Sequence, residues 1–168
     1  MSEEKELTRE AHVEKVRQLI KDSEIALLTT VTPDGLETRP MVTQEIEFDG
    51  DLWFFTLKDT AKVAEIQENP AVNVGYVHKS KSFVSIRGVA EVVEDTDKKE
   101  ELWNKAYEAI FDVDANDPTL ILLKVLVQSV EYWEAGSIVK SAFNIARKLL
   151  INDAETEFGT NATVELDV

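Results

Sequence analysis

IALLTTVTPDGLETRPMVTQEIEFDGDLWFFTL, residues 25–57, reads as three extended runs separated by two turn signals. Ile25 to Val31 is apolar and partly β-branched, and Thr32-Pro33-Asp34-Gly35 is a turn sequence, because proline presets φ and glycine accepts conformations that other residues avoid. The second run goes from Leu36 to roughly Phe48, and Asp49-Gly50 predicts another hairpin into the third. Leu52-Trp53-Phe54-Phe55-Thr56-Leu57 is apolar at nearly every position, which predicts a strand covered on both faces. Pro40 falls inside the second run. A proline donates no ladder hydrogen bond, so it predicts an edge, or a place where backbone meets something other than a strand.

The flanking sequence fills in the other elements. Within residues 8–22, Val13, Val16, Leu19 and Ile20 recur at helical spacing, with Thr8 placed to cap the N-terminus. A short helix is predicted over 60–68, burying Val63 and Ile66 and ended by Asn69-Pro70. Strands follow over 71–77 and 83–93. In the second of these Val84, Ile86, Gly88, Ala90 and Val92 form one small apolar face, which suits a barrel interior. A helix is predicted over 97–110, carrying Leu102, Trp103, Ala106, Tyr107 and Ile110 on one side, then an acidic turn to Pro118 and a long strand over 120–133. Gly136 breaks that strand, and Val139, Ala142, Phe143, Ala146, Leu149 and Leu150 mark a last helix, with Lys140, Arg147 and Lys148 on its solvated side. The fold class is mainly β (β+α): six strands in a small, mostly antiparallel barrel with peripheral helices. One domain covers residues 1–150, and 151–168 reads as an acidic, Thr/Asn-rich tail with little order.

The 168 residues carry 18 basic and 33 acidic side chains, a formal net charge of -15. That excess repels phosphate backbones and anionic lipid heads, so nucleic acid and membrane surfaces are unfavourable partners. The charge is unevenly spread: -2 over residues 1–24, -7 over 91–118 and -5 over 152–168, leaving the remaining stretches at -1. There is no cysteine, hence no disulfide and no thiolate nucleophile, and with an acidic N-terminus and no long apolar run the expected location is the cytoplasm. Of the two histidines, neither His12 nor His78 stands in a recognisable triad, and no P-loop or Gly-rich fingerprint is present. Asp112-Val113-Asp114-Ala115-Asn116 mimics the first half of a calcium loop, but Asp117 and Leu123 occupy the positions that need glycine and glutamate. A solvated turn is the better reading.

One constellation does carry chemistry. Arg39 and Met41 project to one face of their strand, Pro40 and Val42 to the other. At the end of the next strand Thr60 stands where a helix begins, and Lys62 lies in its first turn. Free N–H groups and the helix dipole, joined by a lysine and an arginine, make a phosphate pocket. The alternative is an N-capping threonine with two solvated cations.

Element order and motifs together resemble the pyridoxamine-phosphate-oxidase-like FMN-binding split barrels, within them the general stress protein 26 group. The motifs are Ile25-Ala26-Leu27-Leu28-Thr29-Thr30, Arg39-Pro40-Met41, Trp53-Phe54-Phe55-Thr56, Thr60-Ala61-Lys62, Asn69-Pro70, Ser85-Ile86-Arg87-Gly88 and Tyr132-Trp133, spread over roughly residues 8–150. The resemblance implies a split β-barrel and a homodimer with two FMN sites at its interface. Carried over by position, Arg39 and Lys62 would hold the phosphate with help from Thr60 and Ala61. The backbone of Pro40, Met41 and Val42, with Phe55 and Thr56, would line the isoalloxazine and ribityl chain. Trp133 would cover the ring from the partner chain, or else is a core or interface tryptophan. No catalytic side chain is assigned, since the flavin would carry the redox step. The vitamin B6 oxidase has a glutamine early in its fifth strand and an arginine-rich C-terminal segment; Phe83 and Glu134-Ala135-Gly136-Ser137-Ile138 stand there instead, which argues against pyridoxine-phosphate oxidation. A flavin-dependent oxidoreductase is the leading expectation, and a non-catalytic flavin-binding or ligand-sequestering module is the alternative.

Overall fold

The computed structural model describes residues 8–44, 50–79 and 82–134, together with the backbone of Asn161–Glu165. Thr8 does cap α1 (Arg9–Ile20), its hydroxyl accepting from Ala11 N–H at 3.3 Å, and Val13, Val16 and Leu19 form the buried stripe. Then come β1 (Ile25–Thr32), β2 (Gly35–Val42), β3 (Asp51–Leu57), α2 (Ala61–Glu68), β4 (Ala71–Val77), β5 (Phe83–Val93), α3 (Thr96–Leu102), α4 (Lys105–Phe111), β6 (Leu120–Trp133) and β7 (Asn161–Glu165).

The strands join antiparallel in the order β2-β1-β4-β5-β6-β3, and the sheet curls so that one face is enclosed. Ala26, Leu28, Met41, Phe54, Val74, Tyr76, Val84, Ile86, Leu123 and Val125 fill that interior, with Val16 of α1 and Ile66 of α2 packed on it. Since β2 and β3 are the two ends of the hydrogen-bonded order, the barrel is split between them. The expected fold class is therefore the observed one, including the small apolar face of β5, where Val84, Ile86, Gly88 and Ala90 are buried.

Two local expectations are corrected, and one further strand is found. β2 stops at Val42 and β3 pairs β6, from Asp51 opposite Leu126 to Leu57 opposite Leu120, so the segment ending in Asp49-Gly50 does not make a hairpin between β2 and β3. The physical reason is burial: a strand apolar on both faces needs cover on both. Beside β6 it finds the barrel interior on one side and, on the other, a second core in which Phe55, Leu102, Tyr107, Leu120 and Leu122 pack together. The chain leaving β2 is held at Thr43, whose carbonyl accepts from the Tyr107 hydroxyl at 3.0 Å. The single helix predicted over 97–110 is two, because the Asn104 side chain accepts from Ala106 N–H at 3.0 Å and starts α4 anew. Finally, within the acidic C-terminal segment the backbone of Asn161–Glu165 runs antiparallel to Ser129–Trp133, continuing the edge of β6 that β3 occupies earlier. The helix expected over 139–150 lies outside the described residues.

The acidic stretch before β6 is a set of side-chain-capped turns. Asp114 Oδ1 accepts from Asn116 N–H at 2.9 Å and Asp117 Oδ1 from Thr119 N–H at 2.8 Å, so both carboxylates serve the local backbone. Lys99, 7% exposed, ties α3 to this turn by donating to the Leu120 carbonyl at 3.0 Å.

Candidate functional site

The β1–β2 hairpin sets Thr30 opposite Glu37 and Leu28 opposite Arg39, so Arg39 enters the concave face at one end of the barrel. The chain reaches the end of β3 and starts α2, which packs against β1 and β5 and lays its first turns across that same end. Arg39 is thereby brought to Glu65: its NH2 donates to Glu65 Oε2 at 2.9 Å and its NH1 to Thr30 Oγ at 2.8 Å, while the Thr30 hydroxyl donates to the same Glu65 oxygen at 2.6 Å. Glu37 also reaches Arg39 NH2 at 3.2 Å, but its side chain is 60% exposed, against 14% for Glu65.

Lys62 turns back from the first turn of α2 to donate to Thr56 Oγ at 3.1 Å, and Thr56 is 2% exposed. The Thr60 hydroxyl lies 3.4 Å from Thr56 Oγ and donates to the Leu57 carbonyl at 2.9 Å. It makes no capping bond, so the N–H groups opening α2 are not satisfied by the N-cap side chain. The threonine does not cap, and neither cation is fully exposed: the Arg39 side chain is 16% exposed and Lys62 is half-buried. Burial pushes the Lys62 ammonium below its ordinary pKa, and the Arg39 charge pushes it further in the same direction, with Glu65 acting the other way. Among the described residues no carboxylate lies within ion-pairing distance of Lys62. A half-buried cation with no directly paired carboxylate, beside a second cation at a helix N-terminus, is what an anion would relieve.

The neighbouring edge of β2 carries open main-chain groups. Thr43 N–H donates to the Glu24 carbonyl at 3.1 Å, so pair alternation leaves Pro40 and Val42 in positions that exchange no bonds with β1. The Pro40 carbonyl and the Val42 N–H and carbonyl then point off the edge into the split, and the missing N–H of Pro40 costs the sheet nothing there. Met41 is buried in the barrel at 5% exposure, on the face opposite to Pro40.

The structure therefore gathers Arg39, Thr56, Thr60, Ala61 and Lys62 at one corner, with the β2 edge of Pro40, Met41 and Val42 leading away from it. Phe55 is divided. Its strand passes the corner, but its ring packs in the second core, 5.3 Å from Trp103 edge-on and 5.1 Å from Tyr107 between centroids. Trp133, at the end of β6, pairs with Phe83 of β5, and β5, β4 and β1 intervene before β2, so about four strand spacings, roughly 19 Å along the sheet, part it from that edge in its own chain. A cleft of about 920 Å³ opens where β2 ends, lined by Val42, Thr43, Leu52, Trp53, Asn104 and Tyr107 among others; neither Arg39 nor Lys62 borders it. Sequence reading missed Thr30 and Glu65. Thr30 was legible as the polar member of the inward series Ala26, Leu28, Thr30, and Glu65 as the residue one helical turn after Lys62.

The family described as pyridoxamine 5'-phosphate oxidase like matches residues 11–155. Among solved structures, general stress protein 26 of Bacillus anthracis is 24% identical with a TM-score of 0.65, over 72% of this chain and 92% of that one. The general stress FMN/FAD binding protein of Xanthomonas citri is 28% identical with a TM-score of 0.65, over 76% and 90%. A Clostridium acetobutylicum protein related to general stress protein 26 reaches a TM-score of 0.70 at 17% identity, over 95% and 97%, a likeness of fold. No curated protein sequence matches the chain.

Proposed function

The chain belongs to the pyridoxamine 5'-phosphate oxidase like family, and on that premise we propose that it binds FMN between two copies of itself and works as a flavin-dependent redox protein. The observation that carries the reading is the anion corner: Lys62 held half-buried with no ion-paired carboxylate among the described residues, Arg39 beside it, and the start of α2 uncapped by Thr60 behind both. Such a donor set fits a phosphate monoester. Arg39 and Lys62 would take the phosphate oxygens, Thr60 and the N–H groups at Ala61 and Lys62 would add neutral bonds, and Thr56 holds Lys62 in place. The Pro40 carbonyl and Val42 main chain would orient a planar ring with donor and acceptor edges, and buried Met41 keeps water from behind it. The bound flavin would supply hydride or electron transfer, which requires no nucleophile from the protein. That the Xanthomonas citri protein is named for binding FMN/FAD supports the choice of cofactor.

The convex face of the sheet supports the homodimer. Ile25 is 48% exposed, Leu27 47%, Val77 59% and Phe83 40%, and strand pairing sets them in one patch around Gly75. Trp133 adjoins Phe83 there, so in a dimer it can approach the flavin only from the opposite chain. Sedimentation is expected to give twice 18.9 kDa, and Leu27→Asp, which places a charge in the patch, is expected to give the monomer; a wild-type monomer would remove the interface.

The function itself is tested by the absorbance spectrum of the purified protein, before and after FMN titration, with identification of any small molecule released on denaturation. A flavin band and released FMN are expected. Absence of a band even at saturating FMN would sink the proposal. Reduction of the bound flavin by NADH or NADPH distinguishes a redox protein from a ligand-sequestering module. As for membranes, among the described residues no helix is long and apolar enough to cross one.

A further inference from the structure

We infer that Glu65 is a positioning residue for the anion: with Thr30 it grips the Arg39 guanidinium and so sets the binding geometry that Lys62 completes. The inference rests on the phosphate reading of this corner. Its own basis is a closed ring of three hydrogen bonds. Arg39 NH1 donates to the Thr30 hydroxyl, that hydroxyl donates to Glu65 Oε2, and Arg39 NH2 donates to the same oxygen, at 2.8, 2.6 and 2.9 Å. All three members are enclosed, with Thr30 at 0% exposure and the Arg39 and Glu65 side chains at 16% and 14%. One end of the guanidinium fork is thereby fixed to protein on two elements, β1 and α2. The remaining N–H groups are left for a ligand, once the exposed Glu37 turns to solvent.

A carboxylate next to an anion site is electrostatically adverse, since it lowers the local positive potential that phosphate seeks. Orientation has the opposite sign. Arg39 without its grip is a long side chain with several free torsions, which must be ordered at the moment of binding. The two effects therefore predict opposite outcomes when Glu65 is removed, and the ring geometry favours orientation. Glutamine at 65 retains an oxygen that accepts from both Thr30 and Arg39 while discarding the charge. Aspartate retains the charge but falls one methylene short.

FMN and riboflavin, which differ by the phosphate, are titrated into wild type, Glu65→Ala, Glu65→Asp and Glu65→Gln. Glu65→Ala and Glu65→Asp are expected to weaken FMN binding by about tenfold or more while riboflavin affinity stays put. Glu65→Gln is expected to bind FMN within about threefold of wild type, or more tightly. Alanine and aspartate variants that bind FMN as well as wild type would overturn the role, as would an equal loss for FMN and riboflavin, the mark of a structural effect. Should Glu65→Ala fold poorly, Glu65→Asp decides. A wild-type protein that does not prefer FMN over riboflavin, and whose melting temperature inorganic phosphate does not raise, overturns the anion corner itself and Glu65 with it; preference in wild type with no change in the variants overturns Glu65 alone.

Discussion

Replacing Arg39 and Lys62 together by alanine is expected to weaken FMN binding by about 3–6 kcal/mol, at roughly 1.5–3 kcal/mol for each hydrogen bond to a charged group. Titration calorimetry reads this as a loss of two or more decades, with riboflavin affinity much less affected. Unchanged FMN affinity would remove the phosphate assignment. The double variant also leaves Glu65 enclosed with Thr30 as its remaining hydrogen-bond partner from the ring, so a fall in melting temperature is expected, and adding Glu65→Gln should recover it. A pH signature accompanies the loss. In the free protein the Lys62 pKa is lowered by burial and by Arg39, and a bound phosphate raises it again. Wild-type affinity is thus complete below the free-state pKa and falls as pH rises from that value to the bound-state one, with a proton taken up on binding in between. Lys62→Arg should bind without that alkaline fall, since guanidinium does not titrate there.

The largest effect on stability is expected at Gly88. The β5–β6 register shifts between Arg87 and Gly88, where Arg87 faces Ser129 but Gly88 faces Val127, so that β6 carries one extra residue at this point. A Cβ at Gly88 would stand 2.5 Å from the Leu126 carbonyl oxygen and 2.8 Å from Val125 Cγ1. Neither obstacle can swing away: one is main chain in a central strand, and Val125 is itself fully buried in the barrel. Gly88→Ala is therefore expected to lose about 1–3 kcal/mol in urea unfolding, and Gly88→Val more, with the slope m unchanged. An alanine variant within about 0.5 kcal/mol of wild type would show that the bulge relaxes freely.

Legibility differed by the range of the interactions involved. α1 with its Thr8 cap, α2, β5 and β6 appear close to where periodicity and punctuation set them, because each depends on neighbours a few residues away. The break between α3 and α4 was missed because Asn104 lies within a continuous apolar stripe, and its capping bond to Ala106 outweighs the stripe locally. The pairing of β3 was missed for a different reason. Turn chemistry at Asp49-Gly50 suggests a hairpin, whereas cover for both faces of Trp53-Phe54-Phe55 exists only beside β6, more than 60 residues along. Pro40 had already pointed to an edge, and its open carbonyl now faces the split that follows from that pairing.

At the candidate site the division is similar. Lys62 and Thr60 were legible from their place at a helix start, and Arg39 from its phase on β2, since alternation alone chooses the face. Thr30 and Glu65, which grip Arg39, left only the faint signals of an inward polar position and a place one turn after Lys62, and those acquire meaning only when α2 crosses the end of β1.

The sequence by itself determined the identity and order of most elements, the edge character of β2 and the cations that an anion would meet. All of these follow from local backbone preference, strand and helix period, and side-chain charge. Only the tertiary structure decided that β3 closes on β6 rather than β2, that Phe55 spends its ring on a second core, and that Arg39 is shared between Thr30 and Glu65 while Lys62 has no ion-paired carboxylate among the described residues. Those outcomes depend on burial and desolvation, which are properties of the assembled barrel: a charge is unbalanced only once water has been removed from around it.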